Sequence, residues 1–302
     1  MRLLQKHQFD VVQLETLYLA PYIPVIRKYS KAKVVMRAHN VEHEIWERMS
    51  ENSGSMLKRF YLRHLTKKLR NYEIQQLGNY DLLAAISKRD VQTFRKLGYQ
   101  GRATVTPIGM DPSDYHADPK SYHRDLSISF IGSLDWMPIT EGLQWFLDNV
   151  WQKLLQRFPK LTLHIAGRNT PDSIRRIQIP NVKIYGEVPD ATDFINKHSV
   201  MVVPLLSGSG MRAKILEGMA LGKVVVTTSM GLEGIDAEDR KEVLVADTVE
   251  EFIDCFRFCF ESNGQLNKIG RSAQELVQEK YDNQFVARQL LEAYREKRVE
   301  VY

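Results

Sequence analysis

Residues 208–228 read GSGMRAKILEGMALGKVVVTT and contain a loop, a helix and a strand in direct succession. The stretch opens on glycine and serine, continues through helix-forming residues and ends in a β-branched run, an order typical of α/β proteins. Arg212 and Lys214 stand where the helix begins. Because a helix N-terminus already carries about half a positive charge, each cation there costs roughly 0.3–1 kcal/mol. We expect a negatively charged ligand to offset that cost.

The composition fits two globular domains of ordinary size. The chain has 302 residues, of which 43% are hydrophobic and 26% charged, with a formal net charge of +5. This charge is too small to predict nucleic-acid binding without a concentrated patch, so we expect no nucleic-acid partner. No apolar run reaches the roughly 18–20 residues of a membrane span, and the start MRLLQKHQFD has no signal-peptide core. The expected location is the cytoplasm, with the inner face of the membrane as an alternative.

The two cysteines, Cys255 and Cys259, lie one helical turn apart on an apolar stripe. This spacing is unsuited to a disulfide framework, and no second pair completes a metal-ligand pattern. We therefore predict two buried, unreactive thiols and no metal site.

Short apolar runs alternate with helical stretches along the chain, which predicts parallel α/β sheets. In the first half the predicted strands are Val11–Leu14, Val34–Met36, Leu82–Ile86 and Thr104–Thr106, and the predicted helices are 41–50, 55–78 and 88–97, the last capped by Ser87. A polar segment, 107–125, is predicted to connect two domains. The predicted strands after it lie in SISFIGSLDW (127–136) and at Leu161–Ala166, Val182–Tyr185, Val200–Leu206, Val224–Thr228 and Val243–Val245, followed by three helices.

This alternation predicts two Rossmann-like domains, 1–112 and 113–302, that face a cleft. The last helix, about 283–300, is a candidate to pack back on the first domain. Ligands of such folds bind at the carboxyl ends of the strands, where loop 207–210 is expected to lie. Its glycines allow close backbone approach, and the helix amides together with Arg212 and Lys214 suit a diphosphate. Alternatively, Lys214 and Glu217 form a surface pair three residues apart and Arg212 is merely solvated.

Nearly the whole chain resembles glycosyltransferase family 4, whose members are retaining enzymes of the GT-B architecture. The motifs that carry the resemblance in the first half are FDVVQLE, RAHNVEHEIWERM, YDLLAAISKRDVQTF and VTPIGMD. In the second half they are FIGSLDWMPITEGLQWFLDNVWQKL, LHIAGR, NVKIYGEVPD and VPLLSGSGMRAKILEGMALGKVVVTTSMGLEGI. The resemblance implies a nucleotide-sugar donor in the second domain and a glycan or lipid-linked acceptor in the first, as in surface polysaccharide synthesis. There is no Asp-x-Asp motif at a strand end, so neither a metal nor another cofactor is expected.

The resemblance also implies roles for individual residues. Glu217 matches the second glutamate of the family's signature pair, which grips the ribose, whereas Ser209 replaces the first glutamate, which faces the donor sugar. Ser133 follows Gly132 where many members have arginine, and Glu141 stands in place of a later lysine. Arg212 and Lys214 are the natural replacements for those cations. The predicted catalytic residues are Arg212, Lys214 and His39, and the predicted donor-binding residues are Gly132, Ser133, Arg168, Ser207, Gly208, Ser209, Gly210, Met211 and Glu217.

Alternatives without a functional role remain open for several of these residues. Glu217 has the alternative of a solvated carboxylate on a helix face, Arg168 that of an exposed loop arginine and His39 that of a loop or capping residue. His43 is expected at the surface.

The chain starts on a helix tail that leads into FDVVQLE, a strand that the family usually places well inside the first domain. The first domain is therefore expected to be incomplete, to expose a sheet edge and to self-associate through it. This leaves a second class of function open, namely a catalytically silent nucleotide-binding protein or one half of a split enzyme.

The segment SMLKRFYLRHLTKKLRNYEI, 55–74, alternates apolar and basic residues. A basic amphipathic helix of this kind is typical of peripheral membrane contact. The same pattern is also typical of a helix that packs on its own sheet and exposes a basic face, so both interpretations remain.

Overall fold

A computed structural model describes residues 2–51, 55–123, 127–208, 210–261 and 265–295. Backbone contacts divide the chain into two compact units. The first comprises residues 1–109, 209–211 and 283–302, and the second comprises 110–208 and 212–282. The first boundary lies at 109/110, whereas the sequence suggested 112/113. The amide of Met110 donates to the carbonyl of Tyr281 at 2.7 Å, so the chain has already joined the second unit there.

The first unit is built on a parallel sheet with the strand order β1-β2-β3-β4. Its strands are β1 Val11–Leu14, β2 Lys33–Ala38, β3 Leu82–Ala85 and β4 Arg102–Val105. The central strands are rich in buried β-branched and small residues, as a sheet covered on both faces requires. Among the described residues, β1 and β4 are the edges of this sheet.

The helices of the first unit are α1 Arg2–Lys6, α2 Ile23–Tyr29, α3 Glu42–Glu51, α4 Met56–Gln76, α5 Lys88–Lys96 and, from the end of the chain, α13 Asn283–Arg295. Helix α5 begins as predicted, because the Ser87 hydroxyl accepts a hydrogen bond from the Asp90 amide at 3.0 Å.

Helix α13 covers one face of this first sheet. Ala293 packs with Val35, Leu82 and Ala84 in a small buried cluster. The carbonyl oxygen of Tyr294 accepts from Lys33 Nζ at 2.7 Å, and that of Ala293 accepts from the Arg102 guanidinium at 3.0 Å. Cations at a helix C-terminus satisfy its last carbonyls and complement its dipole.

The second unit contains a six-stranded parallel sheet of order β10-β9-β8-β5-β6-β7. The strands are β5 Ser127–Ser133, β6 Thr162–Arg168, β7 Val182–Gly186, β8 Val200–Val203, β9 Val224–Thr227 and β10 Leu244–Val245. The helices are α6 Met137–Phe146, α7 Gln152–Arg157, α8 Asp172–Arg175, α9 Ala191–Asn196, α10 Ala213–Ala220, α11 Val249–Glu261 and α12 Gln265–Lys280. A π-helical turn, Leu147–Trp151, joins α6 to α7.

Both cysteines lie in the core of the second unit, as predicted. Burial raises the pKa of Cys255 to about 11 and that of Cys259 well above its usual value. A thiol that stays protonated is a poor nucleophile, so these side chains act as small apolar groups.

The α/β fold with two parallel sheets confirms the predicted fold class. Helix α4 departs in part from the packing interpretation of its sequence. Leu62 is buried and Leu69 packs on the core of the first unit, but Leu57, Phe60 and Tyr61 are exposed. Within the described residues, no helix is both long and apolar enough to cross a membrane.

Candidate functional site

The second sheet reverses its strand order between β5 and β8. The chain runs outward from β5 through β6 to β7, then returns to pair β8 with the other side of β5 before continuing to β9 and β10. In open parallel sheets this switch point leaves a crevice at the carboxyl ends of the strands, where ligands bind. The loops after β5 and β8 lead into α6 and α10, so both of these helices begin beside the crevice.

Two predicted donor-binding residues lie at the end of β5. Gly132 pairs with Gly167, and Ser133 pairs with Arg168, which is exposed at the end of β6. A side chain at Gly167 would overlap the carbonyl oxygen of Gly132, so glycine is needed for the close strand pairing here. Gly132, Ser133 and Arg168 are therefore neighbours at the crevice.

The loop after β8 approaches helix α6 closely. A Cβ atom at Gly142 of α6 would overlap the carbonyl oxygen of Pro204. Only glycine at this position permits the close approach of the loop to the helix. Further along the loop, the buried Ser207 hydroxyl donates to a carboxylate oxygen of Glu141 at 3.2 Å. Glu141 of α6 thus fixes the predicted phosphate loop through Ser207.

Arg212 is held over the glycine loop. It is the N-cap residue of α10, and only 8% of its surface is exposed. Its guanidinium carbon lies 5.7 Å from the centre of the Trp136 ring, and a terminal nitrogen lies 2.7 Å from where a Cβ of Gly208 would be. Gly208 adopts φ +116°, which L side chains rarely adopt. The loop therefore places a cation next to the exposed backbone of its own glycine.

Lys214 and Glu217 form an ion pair on the first turns of α10. Lys214 Nζ donates to Glu217 Oε2 at 2.5 Å, and both side chains are partly buried. This ion pair is the one that the alternative interpretation of the sequence expected, whereas the solvated Arg212 of the same interpretation is not observed, because Arg212 is buried. Burial, and then the negative charge of Glu217, raise the pKa of Tyr115, so this tyrosine lies within the electrostatic range of the pair.

The remaining predicted residues belong elsewhere. Ser209 lies outside the described residues, while Gly210, at φ +79°, and the buried Met211 group with the first unit. His39 also belongs to the first unit, where its Nε2 lies 3.0 Å from a carboxylate oxygen of Glu15.

The pair of His39 and Glu15 lies just beyond the carboxyl ends of β2 and β1. Burial alone would raise the pKa of Glu15, but hydrogen bonds from Gln13 and His39 and the charge of Arg37 together lower it. Glu15 is thereby kept as a carboxylate that can orient the His39 ring.

The prediction that His43 lies at the surface is wrong. His43 is buried, and its Nδ1 lies 2.5 Å from a carboxylate oxygen of Glu73, which also accepts from the backbone amides of Glu42 and His43. Glu73 comes from α4 and closes the N-terminus of α3. The carboxylate thus accepts hydrogen bonds from the free amides of that helix start. His43 is buried because its ring contacts the same buried carboxylate.

Two neighbours of the site were missed at the sequence level, namely Trp136 and Tyr115. The only signal for Trp136 was its position just after β5, and Tyr115 lay in a segment interpreted as a connection. Among the residues that the structure describes, no three His, Cys, Asp or Glu side chains come together as a metal ion requires.

The arrangement in the second unit suits a ligand that carries both negative charge and hydroxyl groups. The free amides at the start of α10 and the guanidinium of Arg212 attract negative charge at the loop. Further along the same helix, Glu217 offers carboxylate oxygens that accept hydrogen bonds from hydroxyl groups. A nucleoside diphosphate has both, because its phosphates are negatively charged and its ribose has hydroxyl groups.

Comparison with known proteins gives one family match and one related protein. Residues 125–262, which cover much of the second unit, match the family described as Glycosyl transferases group 1. A protein of Klebsiella pneumoniae described as an uncharacterized 44.6 kDa protein in the cps region is 24% identical over 295 residues, covering 92% of this chain and 72% of that protein.

Solved structures share the fold. HepE of Anabaena, crystallised with UDP, aligns with a TM-score of 0.74 at 15% identity, covering 94% of this chain and 78% of HepE. Sucrose-phosphate synthase of Thermosynechococcus elongatus aligns with a TM-score of 0.73 at 14% identity, covering 95% and 73%. The fold is thus that of GT-B glycosyltransferases, and the group 1 match supports a glycosyltransferase.

Proposed function

We propose that this protein is a retaining glycosyltransferase of family 4 that transfers a sugar from a nucleoside-diphosphate sugar to a glycan or lipid-linked acceptor. The described site offers no nucleophile with a base beside it, which is compatible with front-face attack in which the donor phosphate takes the acceptor proton. The cps-region relative supports a role in surface polysaccharide synthesis. We place the reaction in the cytoplasm, without a metal or other cofactor.

The observation that carries this proposal is the position of Arg212 over the glycine loop at the switch point of the second sheet. Charge builds up on the diphosphate as the bond from the sugar to the phosphate breaks. A fixed guanidinium beside helix amides stabilises that charge without reorganising, which is often the largest single contribution to catalysis.

Glu217 and Lys214 are proposed to separate when the donor binds. In the nucleotide complex Glu217 would accept from the two ribose hydroxyls, and Lys214 would turn to the diphosphate. Their ion pair serves until then as a mutual counter-charge. Because partly exposed pairs contribute only about 0–1 kcal/mol, exchanging it for ligand contacts costs little.

The nucleotide base is proposed to be uracil, since the similarly folded HepE was crystallised with UDP. His39 is proposed to act on the donor sugar, with Glu15 as its orienting partner. If so, His39→Ala should lower turnover while the affinity for the free nucleotide stays unchanged.

Calorimetric titration tests the donor site. We expect UDP to bind more tightly than GDP or ADP, and Arg212→Ala to weaken UDP binding by roughly 1.5–3 kcal/mol, the range for hydrogen bonds to charged groups. Arg176→Ala is the matched control, because Arg176 is an exposed arginine of the same unit, paired with Asp172. Equal affinity of the wild type and Arg212→Ala would refute the phosphate role.

A catalytically silent nucleotide-binding protein is the second candidate, and one observation favours it. Ser207 of the phosphate loop bonds to the carboxylate of Glu141, where active relatives are expected to have a cation. Tight UDP binding without sugar transfer or donor hydrolysis would select this function. Self-association through the edge strand β1 remains a separate proposal, which sedimentation velocity can check.

A further inference from the structure

The first turns of helix α4 expose four large apolar side chains together. Met56 is 85% exposed, Leu57 87%, Phe60 77% and Tyr61 61%. These residues, here the α4 tip, fall within two helical turns, about 9 Å of helix. Single exposed apolar residues are ordinary on a protein surface, but such a cluster marks a contact surface.

Cations lie between the residues of the tip and along the following turns of the same helix. This α4 basic band consists of Lys58, Arg59, Arg63, Lys67, Lys68 and Arg70. The only acidic residue of α4 is Glu73, which is buried and paired with His43. The exposed surface of the helix therefore carries positive charge alone.

The neighbouring helix α3 adds little negative charge to this surface. It presents Glu47 and Glu51 to solvent, while its Glu44 bonds to Arg89. The two exposed acids of α3 are outnumbered by the cations of the α4 basic band. Helix α3 also adds the partly exposed Met49 to the apolar surface.

The fold explains why the tip stays uncovered. Leu62, Thr66 and Glu73 form the buried side of α4, and they begin more than one turn after the helix start. The tip therefore belongs to the part of α4 that precedes its packed side. Folding of the first unit does not require these side chains to be apolar.

We propose that the α4 tip and the α4 basic band together form a docking surface for an anionic phospholipid bilayer. Leu57 and Phe60 enter the boundary between headgroups and acyl chains, and the cations contact lipid phosphates. Protein interfaces are depleted in lysine, whereas an apolar patch bordered by Lys and Arg is the pattern of interfacial membrane helices. This inference concerns the first unit and does not depend on nucleotide binding by the second.

The test is co-flotation of the full chain with phosphatidylcholine vesicles that contain or lack phosphatidylglycerol. We expect binding to the anionic vesicles only, with an affinity that falls as salt is raised, because salt screens the lipid charge. Absence of binding to the anionic vesicles at low salt would overturn the proposal.

Two variants assign the binding to this surface. The charge variant K58E/R63E/K67E should weaken binding by more than about 100-fold, since each lost Lys or Arg near a charged membrane accounts for about fivefold and each new glutamate adds repulsion. The control K120E/K160E/K183E reverses three exposed lysines of the second unit and should keep most of the affinity. Equal losses in the two variants would mean that only net charge matters, which contradicts a dedicated surface.

The apolar variant L57S/F60S should weaken binding about tenfold with an unchanged circular dichroism spectrum, because both side chains are exposed. Leu3→Ser, at another exposed leucine, is its control. If L57S/F60S instead dissolves an oligomer and leaves vesicle binding intact, the tip is a protein interface and the proposal is wrong.

Discussion

Arg212 is a buried cation at a helix start, a position that suits the anion-binding role proposed for it. It caps the start of α10, where the helix dipole is positive, and its side chain is buried against Trp136 and the backbone of Gly208. The dipole opposes a cation there, and burial removes water from it. The phosphate of the proposed donor would offset the unfavourable dipole and add charge-assisted hydrogen bonds to the guanidinium.

Glu217 differs from Arg212 in that it already has a charged partner, Lys214. If Glu217 accepts from both ribose hydroxyls, Glu217→Gln should reduce the affinity for UDP but not for 2′,3′-dideoxy-UDP. The amide has one acceptor oxygen and a donor group where the carboxylate has two acceptors. The measurement is calorimetric titration of both nucleotides into wild type and variant.

Equal losses for the two nucleotides would contradict the ribose role and leave Glu217 as the counter-ion of Lys214. Lys214→Met serves as the companion variant, because it removes the ion pair and keeps the carboxylate. Selective loss of ribose recognition should appear in Glu217→Gln and not in Lys214→Met.

At the scale of elements, strand β6 carries a histidine that is unfavourable to protonate. His164 Nε2 lies 3.0 Å from the Thr162 hydroxyl, Nδ1 lies 2.9 Å from the Tyr185 hydroxyl, and the His198 ring lies 4.3 Å away. Burial, and then the charge of Lys183, lower the pKa of His164 to about 4. The imidazole is therefore neutral in the folded protein near neutral pH.

This shift predicts that the second unit loses stability in acid. Below pH 6.5 the unfolded chain binds a proton at His164 and the folded chain does not, so stability falls until about pH 4. We expect a loss of about 1–2 kcal/mol, less than the whole shift implies because the ring is only half-buried. Urea unfolding at pH 7.5 and pH 5 measures it.

His164→Gln is the control for that measurement, since glutamine keeps polar contacts and does not titrate in this range. The difference in unfolding free energy between the two pH values should shrink in the variant. An unchanged difference would assign the acid sensitivity to other groups.

The predictability of the elements from sequence follows from how local their signals are. Strand Val11–Leu14 is a short β-branched run with polar flanks, and the start of α5 is marked by its capping residue Ser87, so both were predicted correctly. The exposure of the α4 tip was not predicted. The alternation of apolar and basic residues describes a periodicity and does not indicate the residue at which the packed side of the helix begins.

Parts of the site were hidden for a similar reason. The buried position of His43 depends on Glu73, thirty residues later, and the contact of Arg212 with Trp136 joins two different loops. Such contacts arise only when the strands are assembled in order. The position of loop 207–210 at a sheet end was predictable, since it follows a strand and precedes a helix with cations at its start.

At the scale of the whole molecule, helix α13 packs on the sheet of the first unit although it lies far from that sheet in the sequence. Helix α13 covers Val35, Leu82 and Ala84 of the first sheet. A chain that ends at Asp282 should expose these side chains and destabilise the first unit by about 3–6 kcal/mol, the cost of uncovering two large apolar side chains. Hydrogen exchange should show lost protection in β2 and β3.

Strands β8 and β9 of the second unit provide the internal reference for that experiment. Their amides should keep the protection they have in the full chain, because α13 belongs to the first unit. Undiminished protection of β2 and β3 in the shortened chain would show that α13 is dispensable for this sheet.

The return of α13 to the first unit also has a consequence for synthesis on the ribosome. The second unit is inserted within the sequence of the first, between Gly109 and Asn283. All strands of the second sheet have therefore emerged before α13 is made, so the second unit can fold while the first still lacks one of its covers. We expect the part that is translated first to mature last, with its uncovered sheet as the natural binding site for chaperones during that interval.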